Sequence, residues 1–584
     1  MGLGDVSLAC AGALVDALVR GGMRHACVSP GSRSTALALA LARHPSVTTY
    51  VHLDERSAAF FAVGLAKASD EPVAIACTSG TATAEFLPAV VEASQSRTPL
   101  VVLTADRPPG LRGTGANQTI DQTELYGAYA RAYLEPPVPE AADDAAAWRD
   151  TGIRAITAAL AEPRGPVHVN CPFDEPLVPE SASIDVPAPN GGRVVAREPD
   201  REAARAALEG FLTAYAGRRG VVALGSLRAP RTLALLSFAK LLGWPALAEP
   251  LSGLRLDASD AGRALAAGQW LIGDAAWLAR RRPEVVLQVG AAPTTRATQS
   301  LVAAADASVV LDREHLDPDP AHRAERRILV DPELFAAVAW DAAEAEGPPQ
   351  PCDPEWSEAW RNADLVTRAE VDRRLDAWDE PFEGRVARDL AGFVPNGAVL
   401  CVGSSTPVRD LDAYMALRRP PTIWSERDLV RFVASRGASG IDGFVSTALG
   451  AAAADVGPTY ALMGDLTLLH DAGALLWSAR RGHSAVLVVL NNGGGEIFSL
   501  LPQRALPEHR ELFLTPHGVD IGAVCGAAGA GHERIDHAAA FLPAVERAAR
   551  TGEVRVVEVA INPELGRLRR DELRNGVAAA LAAR

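Results

Sequence analysis

The sequence lacks most of the features that would point to a nucleotide, nucleic-acid or membrane function. Only two of its 57 basic residues are lysines, Lys67 and Lys240, and neither lies in the G-x-x-x-x-G-K-[ST] motif of a Walker-type nucleotide site. Nothing resembles a clustered basic tail, and the 72 acidic residues give a net charge of −15, which argues against nucleic acid as a partner. No run of about 20 uninterrupted apolar residues is present, so we expect no stable membrane insertion.

Cysteine is also scarce, and its spacing matches neither a disulfide framework nor a zinc site. The seven cysteines are odd in number, widely spaced and mostly inside apolar runs, which is typical of buried thiols in a reducing compartment. The N-terminus has no basic region of the kind that starts a secretory signal peptide, and Asp16 interrupts its apolar stretch. We therefore expect a cytoplasmic protein.

The chain does contain a regular alternation of two kinds of segment. Short runs rich in Val, Ile and Leu alternate with longer Ala/Leu-rich stretches, the pattern of a parallel sheet covered by helices. The predicted fold class is α/β, with three doubly wound parallel-sheet domains at residues 1–180, 195–345 and 355–584. Stretches rich in Pro and Gly, at about 179–200 and 346–351, mark the boundaries.

Most predicted strands end in a turn that bears Gly, Ser or Asp and leads into a helix. They cover His25–Ser29, Thr48–Leu53, Val73–Thr78, Leu100–Thr104 and Val167–Asn170 in the first domain, Gly220–Gly225, Val285–Gly290 and Ser308–Leu311 in the second, and Ala398–Val402, Thr422–Trp424, Thr459–Met463, Ala485–Leu490 and Arg555–Val559 in the third. The two outer domains resemble each other in the order of their elements.

Polar side chains follow two of these strands in the last domain. Asp465 comes after one strand, and Asn492, 26 residues beyond Leu466, comes after the next and opens a glycine-rich turn. A right-handed βαβ unit brings both to the carboxyl edge of the sheet, where α/β proteins bind ligands. Carboxylate, amide and carbonyl oxygens suit an octahedral Mg²⁺ that also holds a diphosphate. Taken singly, Asp465 has the simpler interpretation of a helix cap, and Asn-Gly that of a turn.

The joined pattern resembles the signature of the thiamine diphosphate-dependent enzymes. The resemblance implies thiamine diphosphate and Mg²⁺ (or Mn²⁺) as cofactors, with the Asp465 side chain, the Asn492 side chain and the Gly494 carbonyl as metal ligands. It also implies a pyrimidine-binding first domain and a diphosphate-binding last domain. Leu466 departs from the general signature, because many such enzymes have glycine there.

A carboxyl group must contact the aminopyrimidine ring of this cofactor, and Glu55 is the candidate. It lies between a strand and a helix, in Asp54-Glu55-Arg56-Ser57, at the step where the family places its glutamate. The simpler interpretation is an acidic residue at a helix N-terminus. In the family this glutamate usually comes from the neighbouring subunit, so the resemblance implies a homodimer or homotetramer with sites between subunits.

Eight motifs narrow the resemblance to the 2-succinyl-5-enolpyruvyl-6-hydroxy-3-cyclohexene-1-carboxylate synthases of menaquinone biosynthesis. The activity implied is decarboxylation of 2-oxoglutarate and 1,4-addition of the resulting succinic semialdehyde carbanion to isochorismate. The motifs are Ser29-Pro30-Gly31-Ser32-Arg33-Ser34, Asp54-Glu55-Arg56-Ser57, Thr78-Ser79-Gly80-Thr81-Ala82, Thr104-Ala105-Asp106-Arg107-Pro108, Ala116-Asn117-Gln118-Thr119-Ile120, the segment 435–443 (SRGASGIDG), Gly464-Asp465-Leu466-Thr467 with His470-Asp471, and Ile497-Phe498-Ser499-Leu500-Leu501-Pro502.

Substrates with several carboxylates require cations in an acidic protein, and arginines within the motifs supply them. Arg33 follows a glycine turn that opens a helix, where backbone N–H groups and a guanidinium hold a carboxylate together. Arg296 falls where some relatives have lysine, which leaves its role open, and Arg107 either contacts substrate or orients the loop before Pro108. The predicted substrate-binding residues are Ser32, Arg33, Arg107, Asn117, Gln118, Arg296, Ser405, Arg409, Arg436, Phe498 and Leu501.

The resemblance also defines a set of cofactor-binding residues, with Glu55 as the catalytic residue and Ile441 as the bulky aliphatic side chain beneath the cofactor. The set is Glu55, Gly80, Thr81, Ser405, Ile441, Gly464, Asp465, Leu466, Asn492, Gly494 and Ile497. Two alternatives stay open. One is another thiamine-dependent carboligase of the acetohydroxyacid synthase type, although the flavin fingerprint G-x-G-x-x-G is missing. The other is a non-catalytic relative that binds the cofactor or menaquinone intermediates as a regulator.

Overall fold

Three parallel β-sheets, each built from short apolar segments with helices between them, form the framework of the protein. The computed structural model describes residues 2–180, 200–228, 232–313, 318–420, 425, 428–478 and 482–583. Nearly every central strand is buried along its whole length, as expected when helices cover both faces of a parallel sheet.

The first sheet has the strand order β2-β1-β3-β4-β6-β5. Its strands are β1 (His25–Val28), β2 (Thr48–Val51), β3 (Val73–Cys77), β4 (Leu100–Asp106), β5 (Tyr133–Leu134) and β6 (Val167–Pro172). The helices around it are α1 (Leu3–Arg20), α2 (Thr35–Arg43), α3 (Glu55–Ser69), α4 (Thr81–Glu85), α5 (Leu87–Gln95) and α6 (Ala145–Leu160).

The second sheet has the order β11-β10-β9-β7-β8. Its strands are β7 (Gly220–Leu224), β8 (Ala246–Ala248), β9 (Val285–Val289), β10 (Ala307–Leu311) and β11 (Ala324–Ile328). The helices of this region are α7 (Arg201–Tyr215), α8 (Ala234–Leu242), α9 (Gly268–Gly273), α10 (Ala275–Arg280), α11 (Arg296–Ala304) and α12 (Pro332–Glu346).

The third sheet has the order β13-β12-β14-β15-β17-β16. Its strands are β12 (Val399–Val402), β13 (Arg431–Val433), β14 (Thr459–Gly464), β15 (Ala485–Asn491), β16 (Gly531–Ile535) and β17 (Val554–Ala560). The helices are α13 (Pro354–Asp376), α14 (Glu383–Phe393), α15 (Thr406–Tyr414), α16 (Phe444–Ala453), α17 (Asp465–His470), α18 (Ala472–Ser478), α19 (Ile521–Ala528), α20 (Ala538–Ala549) and α21 (Pro563–Ala582).

The two outer sheets have the same topology. When the strands of each domain are numbered in chain order, both sheets have the order 2-1-3-4-6-5. All strand pairs in the two sheets are parallel. The prediction of three parallel-sheet α/β domains, with outer domains alike in element order, is confirmed. The exact domain boundaries stay predictions, because most of the first proposed linker (181–199) lies outside the described residues.

A shared core joins the outer domains through helices α3 and α16. Their backbones approach so closely that a Cβ atom on Gly64 would lie 1.9 Å from the Thr447 carbonyl oxygen, and one on Gly450 would lie 1.9 Å from the Phe61 carbonyl oxygen. Phenylalanine and leucine side chains of both helices belong to one buried cluster that includes residues of both outer sheets. The domain that carries Glu55 is thereby packed against the domain that carries Asp465.

The strand predictions hold for the centres of the sheets and for the edge strand β2, and they miss the other five edge strands. All the predicted strands correspond to observed ones except 422–424, which lies outside the described residues. Strands β5, β8, β11, β13 and β16 were not predicted. The seven cysteines are free and buried, as expected. Within the described residues, no helix combines the length and the apolar character needed to cross a membrane.

Candidate functional site

The first part of the site lies at the carboxyl edge of the third sheet, where β14 and β15 end side by side. Gly464 is paired with Leu490 in the register of these strands, so Asp465 and the 491–494 turn start next to each other. One Asp465 carboxylate oxygen, Oδ2, accepts hydrogen bonds from the backbone N–H groups of Gly493 at 2.7 Å and Gly494 at 3.1 Å. The structure therefore brings together the two halves of the predicted metal site.

Asp465 is a buried carboxylate with few compensating charges. Burial raises its pKa, and hydrogen bonds from the Leu466 N–H and from His517 oppose that rise. The His517 Nε2 atom lies 3.3 Å from Oδ2. A carboxylate in such a position is stabilised further by a nearby cation.

Asn492 provides the observation that tests whether a metal ion fits here. Its side-chain oxygen Oδ1 is buried and, among the described residues, has no hydrogen-bond partner. Buried polar atoms are normally satisfied, so an unpaired oxygen beside a carboxylate is what a hard cation would bind. Among the described residues, no three His, Cys, Asp or Glu side chains are grouped so that they could hold a metal. The predicted site does not need such a group, because Asp465 is its only ligand of these four residue types. The donors present fit Mg²⁺ or Mn²⁺.

Glycines of the turn and several apolar side chains complete the part of the site at the third sheet. A Cβ on Gly494 would lie 2.3 Å from the Leu514 carbonyl oxygen, so only glycine fits where the chain turns beneath that loop. Gly464 faces open space. The Phe498 ring packs against Phe513 with the ring centres 5.5 Å apart. The predicted apolar residues Ile441, Leu466, Ile497, Phe498 and Leu501 are all half-buried.

Glu55 lies at a different sheet edge, that of the first sheet. It is the first residue of α3, after the N-cap Asp54, whose side chain accepts a hydrogen bond from the Ser57 N–H at 3.0 Å. Glu55 is half-buried. Desolvation raises the pKa of Glu55, and the negative charges of Asp54 and Glu85 raise it further. A raised pKa suits a carboxyl group that exchanges a proton with a ligand.

Two predicted substrate arginines lie at the same edge as Glu55. The Arg107 guanidinium donates to the Ser79 hydroxyl and, at 2.8 Å, to the Gln118 carbonyl oxygen. Burial lowers the pKa of Arg107, and the positive charge of Arg33 lowers it further. Gly80 has φ +86°, and a Cβ there would lie 3.0 Å from the Gln118 side chain.

Two of the three guanidinium nitrogens of Arg33 have hydrogen-bond partners. Its Nη1 donates to the Phe173 carbonyl oxygen at 3.0 Å and its Nη2 to Glu175 at 3.1 Å. The buried Nε has no partner within the described part of the chain, so one donor of Arg33 is unsatisfied. Other predicted residues of this edge are exposed, namely Ser32, Thr81, Asn117 and Gln118.

A third group contains the remaining predicted arginines. Ser405, with φ +74°, caps helix α15, and its carbonyl oxygen accepts a hydrogen bond from the Arg409 guanidinium. Burial and the charge of Arg296 lower the pKa of Arg409, while burial and the charge of Arg409 lower the pKa of Arg436. The charge of Arg409 is thus opposed by Arg296 of the middle domain and by Arg436 of the last domain, and an anion bound near Arg409 would relieve this repulsion.

Glu55 and Asp465 are not in contact within one chain. Among the described residues, the charges that act on Glu55 are those of Asp54 and Glu85, and those on Asp465 come from its own sheet edge. Arg56, the next residue, reaches helix α17 at its far end, where it donates to the His470 carbonyl oxygen at 3.2 Å. A single chain therefore presents two separate halves of the predicted cofactor site.

Sequence reasoning did not include some residues that the structure places at these edges. Gln122 is fully buried, accepts a hydrogen bond from the Gly80 N–H at 3.1 Å and donates to Asn170 at 2.8 Å, which anchors the Gly80 turn. Glu249, in the middle domain, acts electrostatically on Arg436. No local pattern marks either residue, because each acquires its role from segments distant in sequence.

Similarity to known proteins agrees with this geometry. The family description "Thiamine pyrophosphate enzyme, N-terminal TPP binding domain" matches residues 9–125, "Middle domain of thiamine pyrophosphate" matches 199–402, and "Thiamine pyrophosphate enzyme, C-terminal TPP binding domain" matches 422–559. The first and last of these matches contain Glu55 and Asp465, respectively.

Curated relatives share one name, 2-succinyl-5-enolpyruvyl-6-hydroxy-3-cyclohexene-1-carboxylate synthase. The protein from Thermobifida fusca (strain YX) is 41% identical over 589 residues, which covers 98% of this chain and 99% of the relative. The protein from Geobacillus kaustophilus (strain HTA426) is 40% identical over 580 residues, 95% of each chain. The protein from Halobacterium salinarum (strain ATCC 29341 / DSM 671 / R1) is 37% identical over 593 residues, 97% of each chain.

Proposed function

Because this chain belongs to the 2-succinyl-5-enolpyruvyl-6-hydroxy-3-cyclohexene-1-carboxylate synthase family of thiamine diphosphate-dependent enzymes, we propose that it catalyses the reaction of that name. It decarboxylates 2-oxoglutarate and joins the remaining four-carbon unit to isochorismate by 1,4-addition, with release of CO₂. The observation that carries this proposal is the turn whose Gly493 N–H binds Asp465 and whose neighbouring residue Asn492 has a buried side-chain oxygen without a partner among the described residues.

This turn would hold the diphosphate through a divalent cation. The ligands on the protein side would be Asp465, the Asn492 side chain and the Gly494 carbonyl oxygen. The Gly493 and Gly494 N–H groups keep the Asp465 carboxylate oriented toward the turn. When bound, thiamine diphosphate supplies a carbanion centre that takes up the acyl carbon of a 2-oxo acid and accepts the electrons released with CO₂.

Glu55 would exchange a proton with the aminopyrimidine ring. Desolvation, the largest cause, raises the pKa of Glu55, which favours a carboxyl group that holds a proton for such an exchange. The neighbouring Asp54 is occupied in capping α3 and is therefore not the proton carrier. Glu55 is the one residue to which we assign a catalytic role.

The arginines would bind and orient the substrate carboxylates. Arg33 and Arg107 form one cationic group at the first sheet, and Arg296, Arg409 and Arg436 form another between the middle and last domains. Each charge-assisted hydrogen bond contributes about 1.5 to 3 kcal/mol. Two cationic groups suit two substrates that each carry two carboxylates.

The apolar residues would keep water from the reacting carbon. Ile497, Phe498 and Leu501 are half-buried on the loop that follows the glycine turn. Water that reached this carbon would protonate it and release succinic semialdehyde, so a dry wall favours joining to the second substrate. Polar contacts to the substrates would come from Ser32, Asn117, Gln118 and Ser405. Gly80 and Thr81 would contact the cofactor.

We further propose a homodimer or homotetramer in which Glu55 of one subunit completes the cofactor site of the next. Two features support it: Glu55 and Asp465 have no mutual contact within the described residues, and apolar side chains beside both halves are exposed. Leu53, next to the Glu55 helix, is 68% exposed, and Leu512, on the loop that covers the glycine turn, is 64% exposed. A cytoplasmic location is part of this proposal and follows from the reducing compartment predicted from the cysteines.

The test is an assay of the purified protein with thiamine diphosphate, Mg²⁺, 2-oxoglutarate and isochorismate. We expect 2-oxoglutarate and isochorismate to disappear in equal amounts with release of CO₂. Glu55→Gln is expected to lower the turnover number about 100- to 10,000-fold, because it removes the exchangeable proton while keeping the shape of the side chain.

Glu71→Gln is the matched control, since Glu71 lies beyond the opposite end of α3 and outside the site, and its turnover should equal that of the unmodified protein. Undiminished turnover of Glu55→Gln would reject the catalytic assignment. Conversion of 2-oxoglutarate to succinic semialdehyde with isochorismate left intact would reject the synthase reaction and favour a simple decarboxylase.

A further inference from the structure

The loop that presents Arg296 is fixed by a buried acid of the middle domain. Glu249 follows β8 and is only 5% exposed. Its Oε1 accepts a hydrogen bond from the Thr294 backbone N–H at 2.5 Å, and its Oε2 accepts one from the Thr294 hydroxyl at 2.9 Å. Two bonds to one residue fix both the position and the rotation of the segment that precedes α11, whose first residue is Arg296.

A second set of hydrogen bonds holds the start of the same helix. Thr295 is the N-cap of α11, and its hydroxyl donates to the Gln269 side-chain oxygen at 2.8 Å. The Gln269 amide nitrogen in turn donates to the Thr298 hydroxyl at 2.7 Å. Together with Glu249, Gln269 leaves the N-terminus of α11 little freedom to rotate.

Arg255 connects this arrangement to the last domain. The guanidinium is buried, donates to the Ala248 carbonyl oxygen at 2.8 Å and binds the Asp412 carboxylate at 2.5 Å. Ala248 precedes Glu249, and Asp412 lies on α15 three residues after Arg409. The residue that fixes the Arg296 loop is therefore attached to the helix that carries Arg409.

Such a connection has a physical purpose, because Arg409 repels both Arg296 and Arg436. Without a ligand, free arginine side chains on mobile loops would move apart, and each binding event would have to bring them together again. A rigid attachment on the protein side retains the cluster in its binding geometry.

We propose that Glu249 is a positioning residue that holds Arg296 against Arg409 and Arg436, so that the middle domain contributes one of the cations that bind a substrate carboxylate. This inference rests on the proposed function, since it assigns Arg296 to one of the two substrates. It gives the middle domain a part in substrate recognition, although that domain supplies no group to the cofactor site.

The test compares Glu249→Leu, which removes both hydrogen bonds, with Glu249→Gln, whose amide still accepts from the Thr294 N–H. Arg296→Gln identifies the substrate concerned, through a rise of about tenfold or more in the KM of that substrate. We expect Glu249→Leu to raise the same KM about five- to tenfold, with kcat nearly unchanged, and Glu249→Gln to stay close to the unmodified protein.

The double variant Glu249→Leu with Arg296→Gln separates positioning from a general loss of structure. If Glu249 acts through Arg296, the double variant has the same KM as Arg296→Gln alone. If the KM increases of the two single variants instead multiply in the double variant, the proposal is overturned. The proposal would also be overturned if Glu249→Leu raised the KM of both substrates or of neither. Absence of turnover in the unmodified protein would instead be a failure of the proposed function.

Thr294→Val provides the same test if Glu249→Leu does not fold. It removes the hydroxyl that donates to Glu249 at the same side-chain volume, and we expect a two- to fivefold rise, roughly, in the KM that Arg296→Gln raises. Thr294→Ser retains the hydroxyl and should restore the KM. Glu284→Gln, a loss of one charge at the opposite end of β9, is the matched control and should leave both KM values unchanged.

Discussion

At the scale of single residues, burial gives carboxyl groups of this chain different properties. Burial raises the pKa of Asp465, but this residue accepts hydrogen bonds from three backbone N–H groups, which favour its charged form. Burial, and then the negative charge of Asp412, raise the pKa of Glu249 to about 8. The first arrangement suits a metal ligand, whereas the second suits a neutral hydrogen-bonding group near pH 7.

The pKa of Glu249 predicts a pH dependence of stability. Between the ordinary glutamate pKa of 4.5 and the folded value of about 8, the folded protein holds a proton that the unfolded chain releases. The free energy of unfolding therefore falls as the pH rises through this window. Glu249→Gln removes the titration, so we expect its Tm to exceed that of the unmodified protein at pH 9, by on the order of a few degrees, and to match it at pH 5.

The control for this prediction is Glu284→Gln. A hydrogen bond from the Arg219 N–H lowers the pKa of Glu284, so its charged form stabilises the fold above its ordinary pKa, and its replacement should bring no gain at pH 9. Thermal unfolding followed by circular dichroism measures both variants. An equal Tm difference for Glu249→Gln at pH 5 and pH 9 would contradict the assignment.

At the scale of secondary-structure elements, the crossing of α3 and α16 determines where Glu55 lies. Each helix has a glycine at the point where the other helix's backbone is closest, at Gly64 and Gly450. The hydroxyl of Thr447 donates to the Phe60 carbonyl oxygen at 3.3 Å across the contact. Because Glu55 begins α3, any change in this crossing also displaces the carboxyl group that we propose to be catalytic.

Gly64→Ala is expected to lower both stability and turnover. The added Cβ would lie 1.9 Å from the Thr447 carbonyl oxygen, a backbone atom that cannot move without separating the helices. Overpacking of this kind costs about 1–3 kcal/mol. Differential scanning calorimetry measures the lower Tm, and the synthase assay measures the loss of turnover.

The matched control is Gly392→Ala, within helix α14, where a Cβ would meet open space. Its Tm should be unchanged or slightly higher, because alanine favours a helix over glycine by about 0.8–1.0 kcal/mol. If Gly64→Ala behaved like Gly392→Ala, the close contact of α3 with α16 would not be the feature that fixes their spacing.

At the scale of the whole molecule, the chain presents two half-sites rather than one complete site. Glu55 is at the carboxyl edge of the first sheet and Asp465 at that of the third, and the described contact between their helices, Arg56 with His470, involves neither residue. A symmetric pair of chains can join each half to the complementary half of its partner. The number of complete sites then depends on assembly.

Mixed assemblies of two inactive variants test this arrangement. Glu55→Gln and Asp465→Ala subunits, coexpressed with different affinity tags, form heterodimers in which one site contains both substitutions and the other contains neither. Isolated heterodimers should therefore recover about half of the unmodified activity, while each variant alone stays inactive. If every site were built from a single chain, the heterodimers would be as inactive as their parents.

Much of this organisation is determined by the sequence. Parallel strands buried on both faces must be continuous apolar runs, so the central strands and the α/β class are visible in the sequence, as are the turns that follow them at the carboxyl edges. The placement of Asp465 beside Asn492 follows from two adjacent strands and one helix, which is a local unit of chain. The predicted arginines lie within such turns or at the helices that follow them.

The features that the sequence did not reveal depend on segments far apart in the chain. The unpredicted strands β5, β8, β11, β13 and β16 all lie at sheet edges, where a strand is held by one neighbour and need be neither long nor apolar. The hold of Glu249 on the Arg296 loop joins two segments of the middle domain that are 45 residues apart in the chain, and the placement of Glu55 and Asp465 at different sheet edges depends on how the outer domains pack. Local sequence fixes which side chains reach a sheet edge, whereas the packing of sheets and helices fixes which edges face each other.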